Sequence, residues 1–322
     1  MKSKIYLLAR CMATIFILMS QQSCKQRELC YDHSHVSPVS IIFDWSLAPD
    51  ADPSTMVVWF FPTDGSQGRR FELLRGGAAT KGESDFNSVV KLAPGEYNVV
   101  CHNGDTENNI EEGNTFLNYS LRTYDDDILS PINRAETAPC PDGCETQPVR
   151  SAASTLYAHS AASPVIIPPT SANPVTVTLV PEKVTTECHV TITGVENLVP
   201  DVKISAVITG AAEKWIHHSG MPGGTDVMVP FALRHCGTDC LKGDVTLFGV
   251  NNRENQVNKL RVYTSYKYYY DFDISDQIRN APDPQNIYIS LSGIKLPSLQ
   301  DGGGMSPGVN DWGDTVKEEI QM

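Results

Sequence analysis

Residues 175–181 read VTVTLVP, residues 187–195 ECHVTITGV and residues 202–210 VKISAVITG, and these three stretches decide the fold. Each is rich in β-branched residues and bounded by Pro or Gly, which is the signature of a strand between turns. The pattern continues downstream in DVMVPFAL (226–233), DVTLFGV (244–250), KLRVYTSYKYYYDFDI (259–274) and NIYISLSGIKLP (286–297), with one short helical turn expected over Ile274 to Asn280. It also extends upstream, in VSIIFDW from Val39, MVVWFFP (56–62), RRFELL (69–74), FNSVVKL (86–92), EYNVVCHN (96–103) and FLNYSL (116–121). Short strands at this close spacing predict an all-β chain of two β-sandwich domains in tandem. Between the two sets, Asp125 to Pro174 shifts to Pro, Ala, Ser and Asp, and the seam is expected there, giving sandwiches over 38–150 and 151–299. A tail over 300–322, with Gly302-Gly303-Gly304 and many acids, reads as flexible.

The N-terminus reads as an export signal. Lys2, Lys4 and Arg10 precede the apolar run Met12 to Met19, and Ser23-Cys24 follows. That run is shorter than the roughly 20 residues a bilayer span needs. A small residue before a cysteine after such a core predicts lipidation at Cys24, although Gln21 stands where an aliphatic residue is usual. Residues 1–23 are then the signal peptide and 24–37 a polar, lipid-anchored tether. The chain carries 38 acidic and 25 basic residues, a balance of −13. Nucleic-acid binding needs clustered Lys and Arg, so no nucleic-acid partner is expected.

An exported chain can form disulfides. Cys140-Pro-Asp-Gly-Cys144 and Cys236-Gly-Thr-Asp-Cys240 share one spacing across turn-forming residues, and local disulfides are expected at both. Zinc is the sharper alternative, because His189 and His235 adjoin Cys188 and Cys236, but zinc motifs use tighter matched pairs, so no metal and no cofactor are expected. His33, His35, His217 and His218, and the run Asp125-Asp126-Asp127, read as surface groups without a metal frame.

Catalytic patterns do not occur in the sequence: GxSxG, HExxH and a phosphate-cradling glycine loop are missing. The expectation is a binding or assembly protein. Trp59 with Phe60-Phe61, and Tyr266, Tyr268 and Tyr270, are the main aromatic runs, and strand alternation would turn part of each outward as a ligand or partner surface.

Several segments carry a resemblance. They are Glu28 to His33, Ile42 to Trp45 with Ala48 to Pro53, Leu92 to Tyr97 leading into Asn103 to Asn108, Val207 to Gly210, Tyr270 to Ile278 and Ile289 to Pro297. Together they resemble an uncharacterised family of Bacteroidales lipoproteins, similar to the fimbrillin-like proteins that include FimB/Mfa-type fimbrial anchors. The resemblance implies two transthyretin-like (Greek-key) sandwiches. It also implies an outer-membrane lipoprotein, facing the cell surface in preference to the periplasm, that acts as a fimbrial anchor-like or accessory adhesin subunit. Its partners would be membrane lipid through Cys24 and other fimbrial or envelope subunits joined by strand complementation. Stalk subunits of that group are typically cut after an arginine ahead of a removable strand; here Arg27 is the sole arginine between Cys24 and the first strand, which favours an anchor or cap over a polymerising stalk subunit. The alternative is a glycan-binding surface lipoprotein accessory to a nutrient importer, suggested by the aromatic runs.

Overall fold

The computed structural model describes residues 36–76, 86, 89–132, 138–169, 173–251 and 256–297. Cys24, the tether with His33 and His35, and the tail from residue 298 lie outside them. In chain order the strands are β1 (Ser37–Phe43), β2 (Thr55–Pro62), β3 (Arg69–Leu74), β4 (Val89–Leu92), β5 (Gly95–Asn103), β6 (Asn109–Glu112), β7 (Ser120–Thr123), β8 (Tyr157–Ser160), β9 (Val165–Ile167), β10 (Val175–Leu179), β11 (Glu182–Lys183), β12 (Thr186–Thr193), β13 (Ile204–Ile216), β14 (Met221–His235), β15 (Leu241–Leu247), β16 (Lys259–Thr264), β17 (Tyr269–Asp273) and β18 (Asn286–Ser292). A single turn of helix, α1 (Ser275–Arg279), falls inside the stretch expected to be helical.

Two cores organise these strands. In β1, alternate residues Val39, Ile41 and Phe43 point inward and meet Met56, Val58 and Phe60 of β2 and Val99 and Cys101 of β5. The first group of sheets is therefore a sandwich, with the three-stranded order β10-β1-β4 packed on the order β11-β8-β5-β2-β3, to which β9 adds at β5. The second group runs β17-β16-β13-β14-β15-β12-β18 and folds over at the β14–β15 junction, where only Arg234↔Lys242 and His235↔Leu241 pair. Cys188, Val190 and Ile192 of β12 and Ile287, Ile289 and Leu291 of β18 thereby face Ile204, Ala206 and Ile208 of β13 across the second core. Gly243 is required at the fold-over, because a Cβ there would lie 2.6 Å from the Ala232 carbonyl oxygen.

The seam differs from the expected break after residue 150. The strands β8 and β9 pair with β5 and β10 pairs with β1, so these three strands complete the first sandwich. Conversely, β7 pairs with the far half of β13, and Ile128, Leu129 and Val149 pack against Val207, Met228 and Tyr263 on the outside of the second sandwich. The chain weaves between the two layers, and no single cut in sequence separates them. What links them is β13, whose 13 residues serve both. Its first half pairs with β16 and its last three residues with β7, across register shifts flanking Ala211 and Ala212. Such bulges re-aim a strand, and Gly210, at φ +73°, supplies the left-handed residue the bend needs.

The run 259–274 is likewise two strands, not one. A turn over Ser265–Tyr268 reverses the chain, with Lys267 at φ +64° and its N–H donating to the Thr264 carbonyl at 3.0 Å.

Candidate functional site

Between the sandwiches lies a buried polar cluster. The face of β5 turned away from its own core carries Val100 and His102, and the neighbouring strands add Trp59 of β2 and Arg70 of β3, in register with one another. The β6–β7 hairpin closes over this face. It brings Glu111 and Tyr119, while the tip of the β13–β14 hairpin brings His217. Glu111 gathers the cluster: its Oε2 accepts from Trp59 Nε1 at 2.8 Å and from Tyr119 Oη at 3.0 Å, and its Oε1 accepts from Arg70 Nε at 2.9 Å. Tyr119 Oη also lies 2.8 Å from His102 Nε2, and His102 Nδ1 lies 2.9 Å from the Asn103 carbonyl. Burial would raise the carboxyl of Glu111, but its bonds to Arg70 and Trp59 and the nearby imidazole outweigh that and hold it below the ordinary range. Tyr119 is pushed up, first by burial and then by the Glu111 charge.

His102, Tyr119 and Glu111 together have the make-up of a proton relay. His102 and Tyr119 are buried, and Glu111 is partly covered. Buried thiols elsewhere are held in the inert form: burial raises Cys101 and pushes Cys188 up to about 12. Among the described residues, no group of three His, Cys, Asp or Glu side chains could hold a metal ion.

The residues expected to form a binding surface are placed differently. Trp59 is half-buried and stacks flat on Phe61, with centroids 5.2 Å apart. Tyr266 and Tyr268 lean on the second core, and Tyr270 is part of it, donating from Oη to the Lys295 carbonyl at 2.6 Å. The expectation of an outward aromatic platform there fails because the turn at Ser265–Tyr268 splits the tyrosine run, and because both faces of β2 are covered. Cys236 and Cys240 are bridged across their turn, with Cα atoms 5.2 Å apart. Cys140 and Cys144, expected to pair in the same way, are unbridged. Their loop is pinned from below: Arg261 Nη1 donates to the carbonyls of Pro139 and Cys140 at 3.1 and 2.7 Å, and Tyr263 Oη donates to Pro139 at 2.6 Å. Cys144 is buried against Val207 and Met228.

An exposed aromatic ring missed in the sequence is Tyr288, 70% accessible on β18. It stacks on His189 at 4.8 Å, and His189 Nδ1 lies 2.7 Å from Asp244 on β15. A Tyr at an outward position of an alternating strand was the available signal. No sequence signal pointed to the joint cluster, whose members come from four separate strands and two turns.

Sheet ends are the remaining candidate surfaces. The strand order leaves β4 and β10 at the ends of the three-stranded sheet, β3 at one end of the larger sheet facing it, and β17 and β18 at the ends of the second sandwich. The edge of β18 is closed at one residue: Gln277 of α1 donates from Nε2 to the Ser290 carbonyl at 3.2 Å and accepts the Ser290 N–H on Oε1 at 2.8 Å. The side-chain amide thus fills the place of a neighbouring strand. No described helix is long and apolar enough to cross a membrane.

A solved structure of a candidate adhesin from Bacteroides ovatus shares the fold, with 18% identity, a TM-score of 0.60, and coverage of 86% of this chain and 98% of that one. Looser likenesses run to a second B. ovatus candidate adhesin (10% identity, TM-score 0.49, 80% and 88% covered) and to the fimbrial anchor protein Mfa2 from Porphyromonas gingivalis (13%, 0.47, 79% and 89%). No curated protein matches the chain. The model of a domain of unknown function, DUF5119, matches residues 23–232 and so runs across both sandwiches. The chain therefore belongs to the DUF5119 family.

Proposed function

We propose that this chain is a non-catalytic, adhesin-type accessory subunit of the bacterial outer envelope, held to the outer membrane by lipid on Cys24 and facing the cell surface. The observation that carries the reading is the shared fold with the B. ovatus candidate adhesin over nearly the whole of that protein. The basic and apolar N-terminal run ending in Ser23-Cys24 supports the anchor. Strand complementation with another fimbrial or envelope subunit is the proposed mode of assembly. Several short strands end their sheets, and an added strand gains backbone hydrogen bonds there with register set by alternate side chains. Fatty-acid labelling of cells carrying the wild type or Cys24→Ala, combined with protease shaving and envelope crosslinking, tests it. Label that depends on Cys24, loss on shaving and a reproducible crosslinked partner are expected. A protein that survives shaving and crosslinks to nothing overturns the proposal.

A second reading, glycan binding, is favoured by one observation, the Tyr288–His189 stack with Asp244 beside it on an outward face. Aromatic faces pack on sugar rings while flanking carboxylates accept their hydroxyls. A glycan array read with wild type and Tyr288→Ala decides it, since only signal lost in the variant supports this site.

A further inference from the structure

The β13–β14 hairpin tip sets a histidine where a charge cannot be tolerated. His217 is fully buried, and neither ring nitrogen has a hydrogen-bond partner. Its ring lies 5.0 Å from that of Tyr119 and 5.5 Å from that of His102. Its backbone is tied to the first sandwich, with Ser160 Oγ of β8 donating to the His217 carbonyl at 2.6 Å. Just before it in sequence, Lys214, Trp215 and Ile216 pair with Arg122, Leu121 and Ser120 of β7. The tip is thus a plug, seated in one layer and carried by the other.

The charged groups around it answer one histidine and not the other. His102 forms a chain running from the Asn103 carbonyl through Nδ1 and Nε2 to Tyr119 Oη and on to Glu111. Three links need three hydrogens. A neutral imidazole and a phenol supply two; burial holds His102 below the ordinary histidine value, and when it does take the third proton Glu111 Oε1, 4.0 Å from Nε2, is its counter-charge. His217 has no such answer. Arg70, bonded to Glu111 and Glu72, adds positive charge on the β3 side, and His102 adds more once protonated. Glu111 already accepts three bonds. By strand alternation His159 of β8 points away from Ser160, to the other face of its sheet, and His218, next along the tip, is exposed and faces Phe116.

We infer that His217 is an acid-released latch: protonation expels the hairpin tip from the first sandwich and unpairs β7 from the end of β13, while the two cores stay folded. Burial, and then the neighbouring His102, push His217 well below the ordinary histidine value. The sign follows from linkage. A histidine depressed in the docked state takes its proton in the released state first, so the docked joint has full stability above about pH 6.5 and loses it as pH falls below. Each pH unit below that point multiplies the open fraction by up to about ten, until the depressed value is reached. The inference does not depend on the adhesin reading.

Amide hydrogen exchange of the intact chain at pH 7.5, 6.0 and 5.0, corrected for intrinsic rates, tests it. Amides of 120–122 and 214–216 should lose protection by up to about eightfold between pH 6.0 and 5.0, while those of Val190 and Ile289 hold. His217→Phe, which keeps a flat ring in the slot, should remove that loss, and His218→Ala should leave it in place. Joint amides whose protection is flat across this range, or a His217→Phe protein with the wild-type pH profile, would overturn it. Where the variant does not fold, a flat wild-type profile still overturns the inference.

Discussion

Replacing Arg261 by methionine should be among the most damaging single changes in the second sandwich. The side chain is 1% exposed and makes a two-pronged contact with Asp271, Nε to Oδ1 at 2.5 Å and Nη2 to Oδ2 at 2.6 Å. It also serves the Pro139 and Cys140 carbonyls and lies 4.2 Å from the Tyr269 ring centre. Methionine fills most of the space and keeps contact with Tyr269, so the loss is electrostatic and not a cavity. Breaking one side of a buried pair costs about 3–5 kcal/mol. Asp271 is 24% exposed and recovers some hydration, which places the expectation near the lower end, about 3 kcal/mol. With a urea slope of about 2 kcal/mol/M, the unfolding midpoint falls by about 1.5 M. Arg261→Lys keeps the charge but loses the fork, and should fall between wild type and Arg261→Met. Arg261→Met with Asp271→Leu should recover part of the loss, because no charge is then left uncompensated. The same change frees the 138–144 loop, so Cys140 should react faster with a thiol reagent. A midpoint shift below about 0.3 M for Arg261→Met, roughly 0.6 kcal/mol, would refute the claim that this guanidinium holds the loop to the sheet.

Other changes test other parts of the fold. Gln277→Ala removes the amide that occupies Ser290, and should raise concentration-dependent self-association in sedimentation runs; an unchanged monomer would show that this edge needs no cover. Among the described free cysteines, thiol titration at pH 8 should modify Cys140 first and leave Cys101 and Cys188 unreacted until denaturant is added, because burial keeps those two protonated. Ile289→Ala opens a void in the middle of the second core and should cost about 2–5 kcal/mol in denaturant unfolding, whereas Ser290→Ala on the opposite face should change little.

The parts of the fold legible in the sequence are those in which one face of a strand meets a core and the other meets solvent. β1, β12 and β18 are of this kind, with burial alternating residue by residue, and their inward residues could be read directly. The first sandwich's inner strands were legible as strands but not as surfaces. Residues 99–103 of β5 are buried without a break, because one face meets the β1 side and the other the β6–β7 hairpin. Alternation then says nothing about exposure, which is why Trp59 looked like a ligand platform and is instead a donor to Glu111. The seam was misplaced for a related reason. Composition reads 125–174 as irregular, but β8 and β9 lie inside it and pairing decides which layer a segment joins: Ile128, Leu129 and Val149 pack on the second sandwich, whereas β8 and β9 pair with β5 of the first. That crossing governs how the chain responds to its surroundings. If the layers met only through a linker, each would move by itself; here a β-strand, a hairpin tip and a buried ionisable cluster bind them. A force or a proton delivered to one layer therefore acts through these contacts, among them the three residue pairs of the β7–β13 ladder and the apolar packing of Leu121, Ala158, Trp215 and Phe248.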